Sequence, residues 1–177
     1  MLVVLALLLT GVVLVTTVLA CVSDVRALRI PNLYSIIVIG AFVVAFAASP
    51  ESFGKLSAHL LALVIIFLIT YIMFVLGLMG GGDAKFGSAL ALWVGLPGIV
   101  SYVFWMTLMG GLIAALSLLI KNRKPFSNPA AGSWVAQVQE GRNAVPYGIA
   151  ISFGAWAALL HTGFITHQLD EVIKIIH

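Results

Sequence analysis

Two aspartates, Asp24 and Asp83, are the residues of this sequence best suited to chemistry. Each follows the end of a long apolar segment, whereas the other acidic residues fall in polar connections or near the C-terminus. A carboxyl group at the edge of a bilayer is costly unless it is solvated, paired or used, so both are candidates for a functional site. Two carboxyl groups that meet can share one proton, and such a pair can activate a water molecule.

The composition is typical of an integral membrane protein. Hydrophobic residues make up 62% of the 177 residues and charged residues only 8%, whereas a soluble domain carries about 25% charged residues. The mean hydropathy is +1.18. This length predicts a single membrane-embedded domain over residues 1–177, without a sizeable soluble domain. The net charge of +3 comes from basic residues spread over short loops, which indicates membrane topology rather than nucleic-acid binding.

Apolar stretches of spanning length predict an all-α bundle of six transmembrane helices. The stretch 84–120 is apolar almost throughout, but as one helix it would be roughly 55 Å long, too long for one crossing. We expect Pro97-Gly98 to divide it into two spans. The predicted spans are residues 2–21, 33–48, 56–79, 84–96, 99–120 and 146–165, with a polar cytoplasmic loop at 121–145.

The basic residues predict the orientation of this bundle. With the N-terminus outside, seven of the nine Lys and Arg residues fall in cytoplasmic connections, as the positive-inside rule requires. The seven are Arg26, Arg29, Lys85, Lys121, Arg123, Lys124 and Arg142. Both termini are therefore expected to be extracytoplasmic. Asp24, at the end of span one, and Asp83, at the start of span four, are expected at the same cytoplasmic membrane surface.

The first motif covers residues 24–32, Asp-Val-Arg-Ala-Leu-Arg-Ile-Pro-Asn. Pro31 lacks an amide proton and disfavours helix at Ile30, so we expect the chain to bend before the second span. A purely structural interpretation stays open for this motif alone. In it, Asp24 pairs with Arg26 or caps a helix, and the arginines only set the topology.

The second motif is Gly80-Gly81-Gly82-Asp83-Ala84-Lys85. The glycines allow unusual backbone conformations and the close approach of another chain segment. Asp83 stands where a helix N-terminus favours a negative charge. The structural alternative is a flexible turn with an N-cap aspartate. A second aspartate on the same membrane face favours the functional interpretation.

Together the two motifs resemble those of the type IV prepilin peptidases, the bacterial members of the G-x-G-D intramembrane aspartyl proteases. The resemblance rests on Asp24 with Ile30-Pro31-Asn32, on Gly80-Gly81-Gly82-Asp83 with Lys85, and on the number and order of spans. It implies cleavage of prepilin leaders at the cytoplasmic face of the bacterial inner membrane. It implies that Asp24 and Asp83 are catalytic, supported by Arg26, Pro31, Asn32, Gly80, Gly82 and Lys85.

One departure from the longer prepilin peptidases narrows the expectation. Those proteins carry paired cysteines in an extra cytoplasmic region associated with N-methylation, whereas this sequence has a single cysteine, Cys21. The chain resembles the short, peptidase-only branch that serves Flp (tight-adherence) pili. Its segment Val145-Pro146-Tyr147-Gly148-Ile149-Ala150 is similar to a segment found in that branch. We therefore expect a membrane-inserted prepilin as the partner, no methylation, and neither a cofactor nor a metal ion.

Three other functions are open to a membrane protein with two such aspartates. A presenilin-like protease would cut within substrate transmembrane helices. A small proton-coupled transporter would use Asp24 and Asp83 as proton carriers, and a non-catalytic assembly scaffold would need neither. Transporters usually place such groups near the bilayer midplane and often show internal repeats. The Ile30-Pro31-Asn32 element and the six predicted spans favour the prepilin peptidase.

Overall fold

The computed structural model describes the backbone of residues 2–176 and the side chains of residues 2–174. Every regular element in this range is an α-helix, which confirms the predicted all-α class. The helices are α1 (Leu2–Ala27), α2 (Asn32–Ala48), α3 (Pro50–Phe53), α4 (Leu56–Val75), α5 (Gly81–Arg123), α6 (Trp134–Gln139), α7 (Tyr147–His161) and α8 (Phe164–Ile176).

The helices identify the chain as a membrane protein. Three of them, α1, α4 and α5, are long and apolar enough to cross a membrane, and α7 with α8 makes a fourth candidate span with a 52° bend. Large apolar side chains on α4, such as Leu60, Val64 and Leu68, point outward, as expected of a surface that faces lipid. The six crossings and the extracytoplasmic termini stay predictions.

Helix α5 is interrupted, as the apolar stretch 84–120 predicted. The break lies at Gly95, with φ 65° and ψ 177°, and not at Pro97-Gly98. Pro97 falls instead in the first turn of the second arm. Backbone N–H groups in a first turn have no partner within the helix, so a proline there removes no hydrogen bond. The Tyr102 hydroxyl donates to the Gly87 carbonyl at 3.0 Å, although the two residues would be roughly 22 Å apart along a straight helix. The two arms of α5 therefore fold back on each other.

Other boundaries also differ from the predicted spans. Helix α1 continues to Ala27 instead of stopping at residue 21, so Asp24 lies within its last turns. Helix α7 stops at His161, three residues before α8 begins, and α6 forms inside the predicted loop 121–145. Trp134 of α6 is buried, and its indole nitrogen donates to the Ser117 hydroxyl of α5 at 3.0 Å.

The core lies where the two arms of α5 meet α4, α7 and α2. Phe86, Leu90, Trp93, Tyr102 and Ile151 are almost completely buried there. Helix α7 packs closely on the second arm, since a Cβ atom at Gly154 would lie 2.8 Å from the Tyr102 carbonyl oxygen. Helix α1 packs against α2 and α7, which leaves its last turns beside the first turn of α7.

His59 joins three elements at the end of the bundle near the α5 break. Its ring is buried, with Nδ1 2.7 Å from the Leu92 carbonyl oxygen and Nε2 2.8 Å from the Phe53 carbonyl oxygen. Both neighbours are carbonyl oxygens, and which ring nitrogen donates depends on the tautomer of the ring. A Cβ atom at Gly95 would lie 3.0 Å from the ring. His59 therefore fixes the break in α5 against α3 and α4.

Substitution His59→Ala is expected to lower the thermal midpoint of the detergent-solubilised protein. It removes the ring donor that lies between the Leu92 and Phe53 carbonyl groups, and a buried polar group left unpaired costs about 1–3 kcal/mol. Scanning fluorimetry measures the midpoint. His161→Ala is the control, because His161 is exposed. Equal midpoints for the two variants would contradict the role assigned to His59.

Candidate active site

Asp24 is almost completely buried, with 3% of its surface exposed. Its Oδ2 accepts a hydrogen bond of 2.7 Å from the backbone N–H of Gly148. Gly148 lies in the first turn of α7, where the helix dipole favours a nearby negative charge. The suggested ion pair with Arg26 is not formed in the part of the chain that the structure describes, and Arg26 is exposed. The partner of Asp24 is therefore the backbone of a distant helix.

The segment after Asp24 makes the predicted bend. Leu28 closes α1 through a 2.7 Å hydrogen bond from its N–H to the Asp24 carbonyl, and its φ of 50° turns the chain out of the helix. The Ser23 hydroxyl donates to the Arg29 carbonyl at 2.7 Å, which holds the turn against the helix end. Pro31 is the N-cap residue of α2. The prediction that the chain bends before Asn32 is confirmed.

Asp83 occupies the first turn of α5 and is half-buried. Its Oδ2 accepts from the backbone N–H of Gly80 at 3.1 Å, so the side chain reaches back to the residue that caps the helix. The structural alternative placed an aspartate at the N-cap itself; that position belongs to Gly80. The carboxyl group is thereby held at the start of the helix, on the side of the turn 28–31.

Two glycines allow the elements that carry the aspartates to approach each other. A Cβ atom at Gly82 would lie 2.6 Å from the Ile30 carbonyl oxygen, a distance that real Cβ atoms essentially never show. A Cβ atom at Gly148 would lie 3.0 Å from the Ile30 side chain. Ile30, which is 4% exposed, therefore touches α5 through its carbonyl group and α7 through its side chain.

An open cleft of about 280 Å³ lies between the turn after α1 and the start of α5. Its lining residues come from two segments, 28–32 and 80–83, so Asp83 faces the cleft directly. Asp24 does not line the cleft and lies buried behind it. Ile30 connects the two aspartates, because it contacts both Gly148, the hydrogen-bond partner of Asp24, and Gly82, the neighbour of Asp83.

The other predicted site residues divide into two groups. Pro31, Asn32, Gly80 and Gly82 line the cleft together with Asp83. Lys85 does not line it; its ammonium group is 3.4 Å from the Asn32 side-chain oxygen and connects α5 to the start of α2. Arg26 was also predicted to support the site, but it is exposed at the end of α1 and makes none of these contacts.

Sequence reasoning missed the contribution of α7. Besides the bond from Gly148 to Asp24, the Cys21 thiol lies 3.5 Å from the Gly148 carbonyl oxygen. The available signal was a Pro-Tyr-Gly sequence at the start of the last predicted span, on the membrane face expected for both aspartates. Within the residues that the structure describes, no group of three or more His, Cys, Asp or Glu side chains could hold a metal ion.

Comparisons with known proteins identify the family. The model of the type IV leader peptidase family matches residues 3–115, more than half of the chain, and this range includes both Asp24 and Asp83. Comparisons with curated proteins and with solved structures give no significant match. The match ends within α5, so the first turn of α7 lies outside it. On this match, the chain belongs to the type IV leader peptidase family.

Proposed function

We propose that this protein is an aspartic endopeptidase that removes the leader peptides of type IV prepilins, with Asp24 and Asp83 as the catalytic pair. The observation that carries the proposal is the placement of these two carboxyl groups on either side of Ile30 beside one open cleft, in a member of a leader peptidase family. A peptidase family does not favour the alternative of a proton-coupled transporter.

The reaction uses the pair in its singly protonated form. Two carboxyl groups a few ångströms apart do not both ionise readily, so one holds a proton while the other is a carboxylate. The carboxylate removes a proton from water, whose oxygen attacks the scissile carbonyl carbon. The carboxylic acid donates its proton to the carbonyl oxygen. Collapse of the tetrahedral intermediate then breaks the C–N bond, and a proton passes to the leaving amine.

The cleft suits a peptide that enters from one side of the pair. Asp83 lines the cleft and Asp24 lies buried behind it, so an extended leader segment lying over residues 80–83 meets Asp83 first. The apolar helix of the prepilin follows the scissile bond and packs in the lipid beside the bundle. The absence of side chains at Gly80 and Gly82 lets the Asp83 carboxyl group and the Ile30 carbonyl group pack against the segment 80–83 that lines the cleft.

We further propose that the site faces the cytoplasm from the inner membrane. Arg29 lines the cleft, and Arg26 is exposed in the last turn of α1. The second arm of α5 returns towards the site, because Gly110 packs against Ala150 in the second turn of α7. That arm ends in the basic cluster Lys121, Arg123 and Lys124. The site and most of the basic residues therefore share one side of the molecule, which the positive-inside rule assigns to the cytoplasm.

Incubation of the purified protein with a Flp-type prepilin tests the proposal. The expected product is a mature pilin with an unmodified N-terminus, even with a methyl donor present, because Cys21 is the only cysteine of the sequence. Intact-mass measurement of the product identifies both the cleavage position and any added methyl group. Lack of cleavage would contradict the peptidase assignment, and a methylated product would contradict the short-branch assignment alone.

A further inference from the structure

We propose that the first turn of α7 is a positioning element of the catalytic site, and that Gly148 acts through Asp24. The inference rests on the proposed function, since it takes Asp24 as catalytic. The Gly148 N–H donates to Asp24 Oδ2 at 2.7 Å in a buried setting. This bond holds the carboxyl group in one orientation against the first turn of α7. Gly148 thus sets how Asp24 is presented to the reaction.

The absence of a side chain at Gly148 is required for this contact. A Cβ atom there would lie 3.0 Å from Asp24 Oδ2, 3.1 Å from Asp24 Cβ and 3.0 Å from Ile30 Cδ1. Two of these three atoms belong to Asp24. A side-chain rotation can move Oδ2 away, but Asp24 Cβ is fixed to the helix backbone. An alanine at this position therefore shifts the Asp24 carboxyl group, the Ile30 side chain or the first turn of α7 by a few tenths of an ångström.

A polar seam between α1 and α7 fixes this register. We use "polar seam" for three contacts that follow the bond to Asp24 along the helices. The Cys21 thiol contacts the Gly148 carbonyl oxygen at 3.5 Å, the Ser152 hydroxyl donates to the Thr17 carbonyl at 3.4 Å, and the Trp156 indole donates to the Thr17 hydroxyl at 2.8 Å. The α7 residues recur every four positions, on one face of the helix. The seam therefore aligns α7 so that Gly148 meets Asp24.

Gly148→Ala tests the inference through the kinetics of prepilin cleavage. We expect kcat to fall by roughly 10-fold, since a misplacement of about 1 Å costs about 10²-fold and the shift required here is smaller. We expect KM to stay within about threefold of wild type, because the cleft residues 28–32 and 80–83 remain in place. A kcat equal to that of wild type would overturn the inference.

The matched control is Gly154→Ala in the same helix. A Cβ atom at Gly154 would lie 2.8 Å from the Tyr102 carbonyl oxygen and 2.9 Å from Met106 Cβ, with no contact to Asp24. This variant should lower the thermal midpoint at least as far as Gly148→Ala, but retain more of kcat per folded molecule. If both variants lose kcat equally, Gly148 has only a structural role, and the inference is overturned.

The thiol of Cys21 gives a second readout that does not depend on catalysis. It is the only cysteine of the sequence and it contacts the peptide group of Gly148. Alkylation by N-ethylmaleimide should be several-fold faster in Gly148→Ala than in wild type, and close to wild type in Gly154→Ala. An unchanged alkylation rate in Gly148→Ala would overturn this inference alone. Failure of the wild type to cleave any prepilin would overturn the proposed function, and with it the role of Gly148 in catalysis.

Discussion

Asp24→Asn and Asp83→Asn should each reduce leader cleavage by at least about 10³-fold while the helices stay folded. The loss of an acid or base from the reaction costs about 10²–10⁴-fold, and neither half of a shared pair works alone. An asparagine side chain still offers an oxygen to the N–H groups of Gly148 and Gly80, which bind Asp24 and Asp83 in the wild type. The measurement is the rate of prepilin cleavage by variants matched for thermal midpoint.

The same pair of variants separates catalysis from helix capping. If Asp24 only capped α7, Asp24→Asn would keep its activity, because the amide oxygen accepts the same backbone N–H. Asp170→Asn is the control for the loss of one negative charge, since Asp170 is exposed on α8. Substantial cleavage by either Asp24→Asn or Asp83→Asn would contradict the aspartyl mechanism.

Gly82→Ala should reduce cleavage by roughly 10²-fold or more, although it changes no ionisable group. The added methyl group would lie 2.6 Å from the Ile30 carbonyl oxygen, which is a backbone atom and cannot rotate away. The first turn of α5 must then move from the turn 28–31, and Asp83 moves with it. A displacement of about 1 Å at a reacting group costs about 10²-fold in rate.

The adjacent residue provides a matched control for Gly82→Ala. A Cβ atom at Gly81 would lie 3.3 Å from the ring of Phe74, an exposed side chain that can move aside. Both substitutions add one methyl group to the same helical turn, where alanine favours helix over glycine by about 1 kcal/mol. Gly81→Ala should therefore keep most of its activity. Similar cleavage rates for the two variants would contradict the steric argument.

Some of this architecture followed from local sequence features. The length of the apolar stretch 84–120 required a break, whatever its position. Pro31 predicted a bend before α2, because a proline ring disfavours helix at the preceding residue. The number of spans between Asp24 and Asp83 predicted that both stand on one side, and the contacts of Ile30 with Gly82 and Gly148 agree with that prediction. Each of these inferences depends on chain geometry rather than on tertiary packing.

Other features depend on contacts between distant parts of the chain. The break at Gly95 coincides with the His59 ring, 36 residues earlier in sequence, and not with the more obvious Pro97. The hydrogen bond from Gly148 to Asp24 joins residues separated by 124 positions. It offers Asp24 a partner inside the bundle, so α1 continues past the aspartate instead of ending before it. Neither contact leaves a periodic pattern in the sequence.

The reversal of α5 has a consequence for the backbone inside the bilayer. Residues 81–94 rise roughly 21 Å, whereas the hydrocarbon layer is about 30 Å thick. If Asp83 lies at one surface, the break at Gly95 lies short of the opposite surface and is buried inside the protein. A backbone group freed there needs a partner from the protein itself, and His59 Nδ1 lies 2.7 Å from the Leu92 carbonyl oxygen beside the break. A buried histidine next to the break thus lets a short helix reverse before it has crossed the bilayer.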